Sequence, residues 1–395
     1  MLHTIHFIRG INYWPAHKAM YWWKAFERQE AETDFKQLAR DGFEWVRIFL
    51  LWEDFQPMPE QIDAINLNHL SWLADMAHKQ NLKLMPTFFC GHMSGINWLP
   101  AWAVDPAAEH GRFLICNQHG LQPGMAKNFY VNHEVQEAQS YQIEKVCSAL
   151  QGHPAIIAYD LGNENSNVAI APHPENTKRW LQQMSQTIKK YSGNCAVTLG
   201  MHAEDLEEDR KIRPQDVAPY VDFMSMHAYP FYLDWVEDPL DPKLVPFLGE
   251  LTWQLAQKPV LLQEFGAPTI TPPIRLQEHA SRWIGWSKNE VQRYYQQLIP
   301  TLKRKGMLGF MAWCYADYHP SLWGLPPLDK NIHERFFGLY QYDGRSKKIL
   351  NQLPEDDYSS QGSPQHFWDH IDVAALYRSP RKHLKTWFEL YSKQD

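Results

Sequence analysis

Eight times along the chain, a short and almost unbroken apolar run gives way to a connecting segment, in most cases one with apolar residues at helical spacing. The runs cover 6–14, 45–52, 82–89, 156–164, 196–202, 223–230, 259–266 and 309–318. The spacing predicts helices over 22–41, 66–81, 133–151, 175–191, 243–257 and 288–305, with Gly42 and Gly306 as stops for the first and last. A strand that is apolar on both sides must be covered on both sides, the condition of a parallel sheet whose crossovers are helices. Eight such steps predict a closed (β/α)8 barrel. An open doubly wound sheet would place a glycine-rich turn after the first strand, but the sequence there is RGINYWPAHK. With 395 residues there is room for one barrel carrying long loop insertions at its C-terminal face. A single domain over 1–395 is expected. The last barrel helix is placed in the tail beyond about 340, with a helical extension from about 355 ending in a helix over 382–392.

In a barrel of this kind functional side chains come from the C-terminal ends of several strands. Polar and ionisable residues collect at those ends. They are Asn12 and Tyr13 on the first run, Arg47 on the second with Trp52 and Glu53 at its exit, and His92 beyond the third. Asn163 and Glu164 follow on the fourth, His202 on the fifth, His227 and Tyr229 on the sixth, Glu264 on the seventh and Trp313 on the eighth. Unpaired burial of so many polar groups would be costly, so a purely structural core does not account for them.

Glu164 and Glu264 sit on the fourth and seventh of eight staves, whose ends face each other across a barrel mouth. Two carboxyl groups meeting over a sugar are what glycosidic cleavage needs. In the retaining version they stand about 5–5.5 Å apart, one attacking the anomeric carbon and the other protonating the leaving oxygen. Glu264 is read as the nucleophile and Glu164 as the general acid/base. Arg47 is placed to supply positive charge beside Glu264. His227 and Tyr229 are placed to hydrogen-bond the same region, Asn163 to donate to the sugar 2-hydroxyl, and Trp313 to floor the ring. The 17 Trp, 18 Tyr and 19 Phe suit flat sugar faces. Trp98, Trp102, Trp283, Trp286 and Trp323 fall in loops expected at the mouth, each alone a packing residue, together narrowing the cleft. The stretch EDLEEDRK (204–211) reads as a solvated loop.

The segments RGINYWP, VRIFLLWEDFQP, INLNHL, LKLMPTFF, DLGNE, MHAYP, LLQEFG and GFMAWCYAD together resemble the barrel strands of clan A glycoside hydrolases, and family 5 in particular, over roughly residues 6–340. The resemblance implies a retaining O-glycosyl hydrolase working by double displacement. The family's usual set maps onto Arg47, His92, Asn163, Glu164, His227, Tyr229, Glu264 and Trp313. Two departures stand out: Asn165 occupies the place after the acid/base Glu where the family commonly has Pro, and His92 lies about three residues beyond the expected strand end. The stretch from Trp52 to Pro57 is similar to exo-acting clan members such as β-galactosidases. Within family 5 the resemblance implies an exo-acting β-mannosidase on short β-linked oligosaccharides; an endo-β-mannanase or endo-β-glucanase of the same clan is the alternative.

The net charge of −7, with Lys and Arg scattered, argues against nucleic acid or a lipid surface as partner. No apolar run approaches a membrane span, and MLHTIHFIRGINYW lacks the pattern of a signal peptide, so a cytoplasmic enzyme is expected. Five Cys without a CxxC speak against a disulfide framework or zinc knuckle. No cofactor and no metal are expected. A metal-dependent sugar isomerase would need a quartet of oxygen ligands on neighbouring strands, and a metal amidohydrolase a His-x-His leaving the first strand, whereas His3 and His6 have the wrong spacing at the wrong end. A non-catalytic sugar-binding barrel has no need of both Glu residues. A homo-oligomer remains compatible with all of this.

Overall fold

The computed structural model describes residues 6–270, 285–351 and 365–393. Eight strands form a closed parallel barrel: β1 (Ile8–Asn12), β2 (Trp45–Leu51), β3 (Lys83–Cys90), β4 (Ala158–Asn163), β5 (Ala196–His202), β6 (Met224–His227), β7 (Val260–Phe265) and β8 (Gly309–Ala312). They pair in chain order, and β1 closes the ring by pairing with both β2 and β8: Gly10 lies opposite Trp45 on one side and Met311 on the other. All seven residues of β2 are buried, as a strand covered on both faces requires.

Side chains at alternate strand positions face the barrel axis. Ile8, Trp45, Met85, Ala158, Phe223, Leu261 and Met311 pack into a separate apolar cluster that forms the barrel floor. Two residues further along five of these strands stand Arg47, Thr87, Asp160, Ser225 and Gln263, each fully buried. The interior therefore changes from apolar to polar within one layer, just beneath the mouth.

The covering helices are α1 (Arg28–Arg40), α2 (Ala64–Lys79), α3 (His133–Ala149), α4 (Pro174–Ser192), α5 (Leu244–Ala256) and α6 (Lys288–Arg304). Their starts are chemically marked. Asp63 and Asn132 accept backbone N–H groups at the starts of α2 and α3, Pro174 opens α4, and Ser287 with Glu290 forms a reciprocal capping box on α6.

Two expectations need correcting. The helix predicted from residue 22 starts at Arg28; residues 19–25 form 3-10 turns instead. The reason is packing: Trp22 and Trp23 turn inward, Trp22 edge-on to Tyr13, and the Trp23 indole donates to the Phe49 carbonyl at 2.7 Å. The second concerns the tail. Among the described residues, the chain after β8 makes only 3-10 turns until Gln365, and the C-terminal helix α7 (Pro380–Tyr391) packs on α5 rather than between β8 and β1. Phe388 and Tyr391 both contact the Phe247 ring at 5.4 Å, and the Trp368 indole and Tyr391 hydroxyl donate to buried Glu250.

The loop after β3 carries a small four-stranded sheet (His92–Met93, Ile96–Trp98, Ile115–Asn117, Gly120–Gln122) that walls one side of the mouth. Among the described residues no helix is long and apolar enough to cross a membrane.

Candidate active site

A cavity of about 320 Å³ opens at the C-terminal mouth, lined among others by His92, Glu164, His227, Tyr229, Glu264 and Trp313. Its floor is the polar layer, organised around Arg47. That guanidinium is completely buried and fully used. Its Nε donates to Thr87 Oγ1 (2.9 Å) and Asp160 Oδ2 (3.0 Å), its Nη1 to Asn12 Oδ1 (3.2 Å) and Glu264 Oε1 (2.5 Å), and its Nη2 to Asp160 Oδ2 (2.8 Å) and Asn163 Oδ1 (2.8 Å). A planar fork with five donors can organise that many partners; an ammonium cannot. Glu264 is held from the other side by the Tyr229 hydroxyl, which donates to Oε2 at 2.9 Å.

Glu164 approaches from the opposite wall. One carboxylate oxygen of Glu164, one of Glu264 and a ring nitrogen of His227 all lie within 4.8 Å of one another. So close an approach fits the retaining arrangement, about 5–5.5 Å between carboxyl groups, rather than the inverting one of about 6.5–9.5 Å. An array of three such ligand atoms is also what a divalent cation takes, but the Arg47 guanidinium already neutralises Glu264 from below and leaves a cation there repelled.

No family model matches the chain. It is 25% identical over 224 residues to mannan endo-1,4-beta-mannosidase A of Podospora anserina, and 23% identical over 240 residues to a beta-glucuronidase of Chlorocebus aethiops. The chain spans half or less of those two relatives, 49% of the first and 34% of the second. Among solved structures, the exo-beta-1,4-mannosidase Op5Man5 from Opitutaceae bacterium strain TAV5 superposes with a TM-score of 0.71 and 26% identity, over 88% of this chain and 58% of that one. A GH5_18 protein from Streptomyces cattleya in complex with Manb1-4GlcNAc gives a TM-score of 0.72 and 21% identity, over 87% and 78%. The chain resembles glycoside hydrolase family 5.

In this family 5-like barrel the hydrogen bonds between the carboxyl groups fix a proton count. Gln263 donates its amide to Asp160 Oδ2 at 3.1 Å, which turns its Oε1 toward His227 Nε2 at 2.8 Å. His227 Nε2 must then carry a hydrogen. On the other side of the ring, Nδ1 stands 3.0 Å from Glu164 Oε1. That contact needs one proton, held by either atom, so imidazole and carboxyl titrate as a pair. Burial pulls His227 down, but Glu264 and Glu164 outweigh it and raise it above its ordinary 6.5. For Glu164, burial works upward, while His202, His227 and His92 together hold the carboxyl well below its usual range. In the free protein the shared proton therefore rests on the His227 side, one hydrogen bond from Glu164.

The segment DLGNE explains how Glu164 is aimed. Glu164 itself adopts a left-handed backbone (φ 50°, ψ 51°), a conformation that costs a non-glycine residue energy and recurs at functional sites. Gly162, at φ +146°, leaves room for the Asn165 side chain: a Cβ there would stand 2.0 Å from Asn165 Oδ1. Asn165 donates to the Leu161 carbonyl at 3.2 Å and closes the turn, so the residue that departs from the family pattern has a local task. Gly162→Ala is expected to cost about 1–3 kcal/mol and to misaim Glu164. An unchanged denaturation midpoint with full activity would contradict this reading of the turn.

Of the residues picked from sequence, Glu164, Glu264, Asn163, His92, His202, His227, Tyr229 and Trp313 line the cavity. His202 stands 3.8 Å from Glu164 Oε2 and bonds Ser166 at 2.8 Å; His92 is oriented by Asn97 at 2.8 Å. Arg47 and Asn12 lie just beneath and act on the mouth through Glu264 and Gln263; Asn12 Nδ2 donates to the Gln263 carbonyl at 2.8 Å. Trp52 and Glu53 do not belong to the site. They fall in the helical turn Trp52–Phe55, which bends the chain outward: Trp52 is buried against Phe89 and Trp102, and Glu53 pairs with Lys24 and the Gln118 backbone.

The loop tryptophans also end up elsewhere. Trp98, Trp102, Trp286 and Trp323 pack within the loops, and Trp283 lies outside the described residues. The aromatic wall is made by Phe113, Tyr229, Tyr232, Trp313 and Phe337. The stretch 204–211 is not a solvated loop. It opens as a helical turn, Ala203–Glu207, in which Asp205 accepts from the His202 backbone and Glu204 faces the cavity, paired with Arg112 and Arg210. Sequence reasoning missed Asp160, Gln263, Thr87 and Asn167. The available signal was the period of two: the first three stand two or more residues below a strand exit, on the inward face.

Proposed function

We propose that the protein is a retaining β-glycoside hydrolase that removes a β-linked sugar, mannose above all, from the end of a short oligosaccharide. The observation that carries the reading is the approach of Glu164 and Glu264 to within 4.8 Å, one cradled by Arg47 and Tyr229 and the other sharing a proton with His227. The likeness to mannan-degrading and exo-mannosidase proteins supports the sugar. Two features support action at a chain end. The cavity is at the small end of ligand pockets. One side of it is closed where the Asn331 amide donates to the Ser94 carbonyl at 2.7 Å, joining the loops after β3 and β8.

The chemistry follows from the geometry. Glu264 Oε attacks the anomeric carbon, its charge held in place by preorganised donors. The glycosidic oxygen leaves with the proton of the Glu164–His227 pair, delivered through Glu164. In the second step Glu164 takes a proton from water, and the resulting hydroxide equivalent displaces Glu264 with net retention. Asn163, whose amide donates one hydrogen to the His92 carbonyl at 2.9 Å, has a second hydrogen for the sugar 2-hydroxyl.

The test is a screen of nitrophenyl β-glycosides beside short β-mannan and β-glucan oligosaccharides, with product sizes and anomers read by chromatography and NMR. Retained configuration and release of single sugars are expected. Binding without any turnover would favour a non-catalytic barrel. Glu164→Ala is expected to lose about 10²–10⁴-fold on oligosaccharides and to spare aryl glycosides with good leaving groups. The wild-type pH profile should fall on the alkaline side above 6.5, where the raised His227–Glu164 pair loses its proton, and that limb should vanish in the variant. A variant that keeps the limb would remove Glu164 from the acid role.

A further inference from the structure

A third carboxyl group lies in the same cavity and has no part in the scheme above. Glu334 comes from the 3-10 turn Ile332–Phe336 after β8 and is 7% exposed. Its Oε2 accepts from Ser94 Oγ at 3.0 Å, Oε1 stands 3.4 Å from the Tyr232 hydroxyl and 3.5 Å from His333 Nε2, and the Trp313 side chain is a further donor to the carboxyl. Among the described residues no Lys or Arg lies within ion-pair distance of it. Burial and the nearby Glu264 push this carboxyl up to about 7, against Ser94, Tyr232 and Trp313, which pull it down. A carboxylate accepts up to about four hydrogen bonds, so Glu334 has acceptor capacity left over, facing the cavity. Holding such a group without a cation in a protein wall is unfavourable unless a ligand supplies donors.

The cavity has two poles. Glu164 is tied through Asn167, which donates to Oε2 at 3.0 Å, to a cluster of Arg112, Arg210 and Glu204; this is the side of the leaving group. Glu334 belongs to the other pole, beside Glu264 and Trp313, where the sugar that becomes covalently held must sit. It also anchors the bridge by which Ser94 and Asn331 close that side.

We propose that Glu334 is a specificity-determining residue that accepts hydrogen bonds from hydroxyls on the edge of the terminal sugar remote from the scissile bond. The wall it belongs to includes the Asn331–Ser94 bridge between the loops after β3 and β8. This rests on the glycosidase reading above. Such hydroxyls are present only on a non-reducing terminal residue when the linkage position is among them, so the group reads the chain end.

The experiment uses the nitrophenyl β-glycoside that the wild type turns over fastest, together with its 3-, 4- and 6-deoxy analogues. Wild-type kcat/KM should fall about 10- to 100-fold on at least one analogue, the size of a lost hydrogen bond to a charged group. Glu334→Gln should show a similar loss on the parent substrate and little further loss on that analogue, with an unchanged melting temperature. Losses that simply multiply, or a wild type indifferent to all three deoxy positions, would overturn the proposal even if the variant folded poorly. A wild type that turns over no β-glycoside would fell the glycosidase reading and this inference with it. Turnover without coupling fells this inference alone.

Discussion

Replacing Glu264 with alanine is expected to abolish turnover, by about 10⁵- to 10⁶-fold, because in the proposed mechanism it removes the atom that forms the covalent bond. The fold should survive. Glu264 stands at the edge of the polar layer, and its removal leaves Arg47 with Asp160, Asn163, Thr87 and Asn12 as partners. In the proposed mechanism the vacated space lies under the anomeric carbon, opposite Glu164. Azide entering there should restore activity on substrates with good leaving groups and give an α-glycosyl azide, since only one of the two displacements then occurs. A β-configured azide would mean that Glu264 is not the nucleophile and that the pair does not work by retention.

Arg47→Ala should have the second largest effect, on both activity and stability. Arg47 is the only Lys or Arg within ion-pair reach of Asp160 and Glu264 among the described residues; Glu264 also has His227 at 3.5 Å. Loss of Arg47 leaves buried Asp160 without a cation and Glu264 with His227 alone, a change that costs about 3–5 kcal/mol. Activity should fall as well, because Glu264 loses the donor that positions Oε1. Arg47→Lys should not rescue either property: one ammonium does not span Thr87, Asp160, Asn12, Glu264 and Asn163 together. Denaturant unfolding and steady-state kinetics on the same preparations would check this. A variant with native midpoint and native kcat would reduce Arg47 to an ordinary interior residue.

Where the physical signal was local, the sequence was legible. Eight apolar runs marked eight staves, with ends displaced by at most about six residues, because a strand buried on both faces has a recognisable composition. Glu164 and Glu264 stood out because a carboxyl at the exit of an apolar run has few structural explanations. Trp52 and Glu53, picked just past the second run, lie away from the cavity because the chain turns into a short helix at Trp52 and carries both away from the axis. Asp160, Thr87 and Gln263 were overlooked because a single polar residue within a run such as IIAYDLGNE or LLQEFG does not disturb its apolar character. Their importance comes from partners on other strands.

The order of strands, the barrel class and the placing of Glu164 and Glu264 at the cavity were determined by the sequence itself, since each depends on short-range pattern and on the count of steps around a closed sheet. What only the tertiary structure decided is everything set by contacts between distant segments. That includes the Arg47 fork joining five strands, the proton shared by residues 63 positions apart, the third carboxyl at Glu334 and the docking of the tail on α5. Hydrogen bonds have direction and a reach of about 3 Å. Which side chains come within that reach is fixed by the register and curvature of the closed barrel, and no spacing along the chain encodes it.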